Sequence, residues 1–286
     1  MSHLMNNYGR LPVSFDHGQG VWLWDKEGHK YLDALAGIAV NSVGHAHPRL
    51  VRAIADQASK LIHCSNYFNI DLQEKVAEKL VEHSGLEAVF FCNSGLEANE
   101  CAIKIARKFG HAKGIEVPNI IVLKHAFHGR SIATLSATGN PSVREDFSPY
   151  TEGFIFVDES DLDGIRKIVE ENKNVVAIFF EPILGEGGVV PIDLSVIKGI
   201  REICDEHDLL MMCDEVQCGM GRSDKWFAHQ WAEIKPDVIT MAKGLAGGVP
   251  VGAVIVSEKA NIFKPGNHGS TFGGNPLAMR AALETL

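Results

Sequence analysis

The chain has 286 residues, 45% of them hydrophobic, with a mean hydropathy of +0.01, which is enough apolar material for one large core or two unequal ones. A formal charge of -9 and a pI near 5.8, with no local run of Lys and Arg, exclude an electrostatic case for binding nucleic acid or an acidic membrane and favour small-molecule chemistry. No apolar stretch reaches the roughly 18 residues of a membrane span, and the polar opening from Met1 to Arg10 lacks the apolar centre of a signal peptide, so a cytoplasmic protein is expected.

In chain order, VSFD, VWLWD and KYLDAL alternate with the turn candidates HGQG and KEGH, which predicts a small β-meander separate from the rest. From His47 onward helical patterns alternate with short apolar runs. The runs are AVFFC, NIIVLKHA, FIFV, VVAIFFE, LLMMCDE, DVITMA and VGAVIVS. The helices are expected over Leu50 to Ile62, Leu72 to His83, Glu97 to Phe109, Leu162 to Glu171 and Leu194 to His207. This alternation predicts an α/β fold with a mostly parallel sheet. The last residues, Ala281 to Leu286, continue a helical pattern without a cap, so the chain reads as cut short. The six cysteines form no CxxC pair and are expected to be reduced. The close histidines His45 and His47, or His125 and His128, have no carboxylate or thiolate at metal spacing, so no metal site is expected.

Ligands of open α/β sheets sit beyond the carboxyl ends of the strands, so the polar residues that end the apolar runs are the candidates for chemistry. DVITMA runs into Lys243 between Ala242 and Gly244, an amine with little bulk around it. Taken alone it is more readily a lysine reaching solvent; desolvation beside another cation would make it a nucleophile. LLMMC ends in Asp214-Glu215, with Gln217 beyond, which puts a carboxylate where a pyridinium nitrogen would want a partner. AVFFC leads through Asn93 and Ser94 to Gly95 and Leu96, a Ser-Gly turn opening a helix whose N-terminus suits a phosphate. Near the end of NIIVLKHA stand Phe127 and Arg130, an aromatic face to stack on a ring and a guanidinium to clamp a carboxylate.

Seven segments occur in one order: LDALAGIAVNSVGHAHP, FCNSGLEANECAIKIAR, AFHGRSIATLS, EPILGEGGV, CDEVQCGMGR, PDVITMAKGLAGGVPVGA and HGSTFGGNPLA. Together they resemble the class III, ornithine-type aminotransferases of fold type I, from about Tyr8 to the last residue. The resemblance implies a seven-stranded sheet and pyridoxal 5'-phosphate as cofactor. It also implies a division into residues 1–46, contributing to a small domain, and 47–286 as the large cofactor domain, with the family's C-terminal small domain expected to be missing.

Residue by residue, the resemblance implies that Lys243 holds the cofactor as a Schiff base, Asp214 pairs with its ring nitrogen and Phe127 stacks on the ring. Gly95 and Leu96 match the phosphate-binding pair, and Gln217 the contact to the phenolic oxygen. Thr271 matches the residue that reaches the cofactor phosphate of the other subunit, which implies a homodimer. Arg130 matches the holder of a substrate carboxylate, Ser270 a substrate contact and Glu186 an acidic gate between two substrates. The GRLPVSF opening, the AGIAVNSVGHAHP segment and the AFHGR motif are most similar to members that move the amino group of N2-acetylornithine to 2-oxoglutarate in arginine biosynthesis. Succinylornithine, succinyldiaminopimelate, ornithine and 4-aminobutyrate are the alternative amino donors, and an inactive fragment is the alternative from another class. The chain departs from the family at Leu96, where Thr or Ala is common, at Leu184, where Gln is frequent, and at Ser223-Asp224, where Thr-Gly is frequent.

Overall fold

In the computed structural model, residues 3–286 are described; Met1 and Ser2, the first two residues of the polar opening segment, lie outside them. The chain begins with an antiparallel meander of β1 (Phe15–Gln19), β2 (Trp22–Asp25) and β3 (Lys30–Leu32). HGQG is not the first turn: His17, Gly18 and Gln19 pair with Trp24, Leu23 and Trp22, and the reversal falls at Gly20-Val21. Asp25 braces the meander from inside, accepting from the backbone N–H groups of Glu27 and His29 and from the Tyr31 hydroxyl.

A single turn, α1 (Ala36–Ala39), whose residues all take positive φ and so wind left-handed, leads to the helices α2 (Pro48–Ala58) and α3 (Asp71–Ser84). Pro48 supplies the fixed φ suited to a first helical turn, and Gly85, with φ 67, ends α3 in the left-handed conformation that a residue with a Cβ resists. There follow β4 (Ala88–Cys92), α4 (Gly95–Ala112), β5 (Asn119–Leu123), the short helices α5 (Ile132–Ala137) and α6 (Pro141–Arg144), β6 (Phe154–Val157) and α7 (Leu162–Glu171). Next come β7 (Val175–Phe180), the small hairpin of β8 (Ile183–Leu184) and β9 (Val190–Pro191), and α8 (Leu194–Glu206). β10 (Leu210–Asp214), β11 (Val238–Met241), β12 (Gly252–Val256) and α9 (Pro276–Thr285) complete the chain.

Seven strands form one sheet in the order β4-β12-β11-β10-β7-β5-β6. Only β12 runs against its neighbours, so the expected mostly parallel sheet is present. Every residue of β7 and of β10 is buried, which is why both read as unbroken apolar runs rather than alternating ones. One face packs under α4, where Ala98, Cys101, Ile105 and Phe109 meet Phe179, Met212 and Val254. The other face carries two clusters, one with α7 and α8 over Ile178, Phe180 and Met211, and one with α3 and α9 over Ile239, Met241 and Ile255. Because β4, β5, β7, β10 and β11 point the same way, their carboxyl ends share one edge, and that edge is where the candidate residues converge. Leu184 belongs to the α8-side cluster at 1% exposure, so an apolar residue at this position is a core residue. Asp224 has φ 68, which explains in physical terms why glycine is the frequent residue there. Among the described residues no helix is long and apolar enough to cross a membrane.

Candidate active site

A cavity of about 420 Å³ lies at this edge, and eight of the candidate residues line it: Gly95, Leu96, Phe127, Arg130, Glu186, Asp214, Gln217 and Lys243. Ser270 and Thr271 do not; they line a neighbouring cleft of about 1060 Å³ beside the edge strand β4. Asn93 joins the two spaces, since it lines the first cavity and its Nδ2 donates to Ser270 Oγ at 3.1 Å.

Asp214 is the last residue of β10 and is 3% exposed. Its Oδ2 accepts from Asn99 Nδ2 at 2.7 Å and from His128 Nδ1 at 2.8 Å, while Oδ1 accepts the Val216 N–H at 3.0 Å. Asp214 and Glu215 are adjacent acids at the end of one apolar run, and the pleat of the strand separates them. Asp214 shares the α4 face with Leu210 and Met212. Glu215 turns away to accept from the backbone of Ala228 and His229 and to pair with His229 Nδ1 at 2.9 Å, a buried brace with no access to the cavity. His128 stacks on Phe179 with ring centroids 4.1 Å apart, which fixes the imidazole that faces Asp214.

Lys243 follows Ala242 at the end of β11 and opens a 3-10 turn to Ala246. Its φ of 40 is in the left-handed region, a strain of about 1–3 kcal/mol for a residue with a Cβ, which the buried turn around it must offset. Ser42 Oγ donates to the Gly244 carbonyl at 2.9 Å and ties this turn to the N-terminal segment. Burial lowers the pKa of the Lys243 amine and the Arg222 charge acts in the same direction, against the opposing pull of Asp214, Glu186 and Glu181. Arg222 is thus the neighbouring cation that the sequence reading asks for without naming.

α4 begins behind Ser94, whose side chain accepts the Glu97 N–H at 3.2 Å. The first N–H groups of an α-helix have no acceptor within the helix, so the turn at Gly95 and Leu96 presents donors to the cavity. A Cβ on Gly95 would stand 2.6 Å from Val216 Cγ1, so the close packing of this turn on the β10 loop needs glycine. The Arg130 guanidinium lies 5.7 Å from the centroid of the Phe127 ring, leaving it exposed at the mouth of the cavity.

Sequence reasoning passes over three residues of this site: Glu181, Asn99 and His128, all of which line the cavity. Glu181 ends the VVAIFFE run, so the end-of-strand rule used for the other candidates also points to it. Nothing in the spacing of Asn99 or His128 reveals that they meet at one carboxylate. His128 Nε2 and Asn99 Oδ1 are buried without a hydrogen-bond partner among the described residues.

An amine and a carboxylate on adjacent strand ends thus face one cavity together with an aromatic wall and a helix N-terminus. The chain belongs to the class-III aminotransferases, whose family description matches residues 4–286. It is 56% identical over its full length to a protein of Nitrosomonas europaea named acetylornithine aminotransferase, 73% of which it covers. It is 50% identical to a protein of the same name from Synechocystis sp., covering all of this chain and 68% of that one. Among solved structures, it matches ornithine aminotransferase from Toxoplasma gondii with a TM-score of 0.94 and 35% identity, over 99% of this chain and 68% of that one. N-acetylornithine aminotransferase from Stenotrophomonas maltophilia matches with a TM-score of 0.81 and 38% identity, over 96% of this chain and 68% of that one.

Proposed function

We propose that the chain transfers the amino group of N2-acetylornithine to 2-oxoglutarate, giving N-acetylglutamate 5-semialdehyde and glutamate, with pyridoxal 5'-phosphate as cofactor. The observation that carries this reading is the juxtaposition of Lys243, whose amine pKa is lowered by burial, with Asp214 in one cavity. The residues fit the cofactor. Gly95 leaves the space that a Cβ would fill beside the helix N-terminus, Asp214 is an acceptor for a ring nitrogen, and buried polar atoms of His128 and Asn99 stand unpartnered at the wall. When bound, the cofactor supplies an aldehyde carbon that takes up the amino group and a cationic ring that withdraws electrons from the reacting carbon.

The protein's own part is to hold and to move protons. Lys243 Nζ takes the proton from the reacting carbon of the amino donor and returns it at the far end of the same path, a task eased by its lowered pKa. Asp214, oriented by Asn99 and His128, keeps the ring nitrogen protonated. Phe127 would cover the ring, Gln217 would face the phenolic oxygen, and the N–H groups of Gly95 and Leu96 would hold the phosphate. Arg130 binds the carboxylate of each substrate in turn, and Glu186 at the exposed rim selects between them.

We assign Ser270 and Thr271 to an interface with a second copy of the chain, Ser270 as a substrate contact and Thr271 toward the other copy's phosphate. Asn66 Nδ2 donates to the carbonyls of Ser270 and Gly273, joining two loops that expose Tyr67, Phe68 and Phe272 at 95%, 69% and 60%. Such adjacent exposed aromatics suit a homodimer. Light scattering should give the mass of two chains, and a monomer at micromolar concentration would remove this assignment. The substrate reading is tested by glutamate formation from 2-oxoglutarate with N2-acetylornithine, N2-succinylornithine, ornithine and 4-aminobutyrate as alternative donors. The acetylated donor should give the highest kcat/KM, and a higher value with any of the others would replace it.

A further inference from the structure

One carboxyl of the site has no part in the functions assigned above. β7 and β10 pair with Phe180 opposite Cys213, so the next residues along, Glu181 and Asp214, leave the sheet side by side. Glu181 is 5% exposed. Both of its oxygens accept main-chain hydrogen bonds: Oε2 from the Phe127 N–H at 2.9 Å and Oε1 from the Gly185 N–H at 3.1 Å. Phe127 forms one wall of the cavity. Gly185 precedes Glu186, and a Cβ on it would stand 2.1 Å from Gln217 Oε1, so this loop is packed directly on the Gln217 side chain. A single buried carboxyl therefore ties together a stacking face, a polar contact and a gate that come from three separate parts of the sequence.

We propose that Glu181 is a positioning residue that locks Phe127, Gln217 and the Glu186 loop into one unit; the proposal rests on the function proposed above. Two N–H donors on two oxygens are best met by an ionised carboxylate, whereas an amide turns its NH2 group toward one of them. The charged and titratable groups that face Glu181 are Asp214, His128 and Lys243. Burial, then the Asp214 charge, raise the Glu181 acid to about 7, while His128 and the two backbone donors act the other way. A cationic ring held against Asp214 offsets part of that repulsion, so cofactor and carboxylate favour each other. The clamp tightens as the pH rises through neutrality.

The experiment compares the wild-type chain with Glu181→Gln, using pyridoxal 5'-phosphate itself as the probe. The dissociation constant of the variant should exceed that of the wild type by about tenfold at pH 8, the worth of one charge-assisted hydrogen bond, and the gap should narrow toward pH 6. Visible circular dichroism of the bound cofactor should weaken, and KM for both substrates should rise more than kcat falls. Equal affinity, dichroism and KM across this range would overturn the proposal while leaving the proposed function intact. Failure of the wild type to bind the cofactor at all would take both down. Should the variant not fold, hydrogen exchange on the wild type decides: added cofactor should slow the amides of Phe127 and Gly185 together, and slowing of only one would refute the clamp.

Discussion

Replacing Asp214 with Asn removes a charge while keeping the shape of the side chain, and the structure sets the size of the effect. Asp214 accepts three hydrogen bonds, from Asn99, His128 and the Val216 N–H. An amide can keep its oxygen toward Asn99 and His128 only by turning its NH2 group on the Val216 N–H, which leaves one buried donor unmet at a cost of about 1–3 kcal/mol. In a chain of this size that lowers the melting temperature by roughly 2–4 °C per kcal/mol. The remaining neutral hydrogen bonds no longer hold a proton on the ring nitrogen. Losing a charge-assisted contact of about 1.5–3 kcal/mol should slow the half-reaction with N2-acetylornithine by about 10- to 150-fold, measured by stopped-flow absorbance.

The substitution also alters the pH dependence of stability. Glu181, held up to about 7 in the folded chain against an ordinary value of 4.5, binds more protons folded than unfolded between those values. Its contribution is fully present below about 4.5 and is lost as the pH rises through about 7. Without the Asp214 charge that loss should be smaller, so thermal melts of the variant should depend less on pH over this window. A variant that melts like the wild type at every pH and transfers the amino group at the same rate would refute the reasoning about Asp214.

Two further substitutions test where the chain departs from its family. Asp224→Gly removes a left-handed residue with a Cβ and should raise stability by about 0.5–1 kcal/mol in a denaturant melt, without changing KM. Leu96→Thr adds a hydroxyl at the helix N-terminus and should lower the dissociation constant for pyridoxal 5'-phosphate by about 2- to 10-fold in equilibrium dialysis; an unchanged constant would mean that the backbone donors alone hold the phosphate.

Much of the fold is legible in the sequence because the sheet is buried on both faces. All seven strands stand out as apolar runs, and α7 occupies the expected Leu162–Glu171. α5 and α6, six and four residues long, are too short to show a helical period, and the first hairpin turn is displaced because Gly18 sits within a strand rather than at its end. Single strand-end residues such as Lys243 and Asp214 are legible as well. What the sequence hides is the conjunction of distant residues: Asn99 and His128 meeting at Asp214, and one carboxyl reaching two loops. Those contacts depend on which side of a strand each residue faces and on loop paths that no local pattern encodes.

Every role proposed for the site depends on Lys243, and the absorbance spectrum of the chain with pyridoxal 5'-phosphate tests this dependence most directly, beside that of Lys243→Ala. The wild type should show a visible band that Lys243→Ala lacks and that adding N2-acetylornithine converts to the shorter-wavelength form of an aminated cofactor. A band that survives the loss of Lys243, or one that the amino donor leaves unchanged, would contradict it.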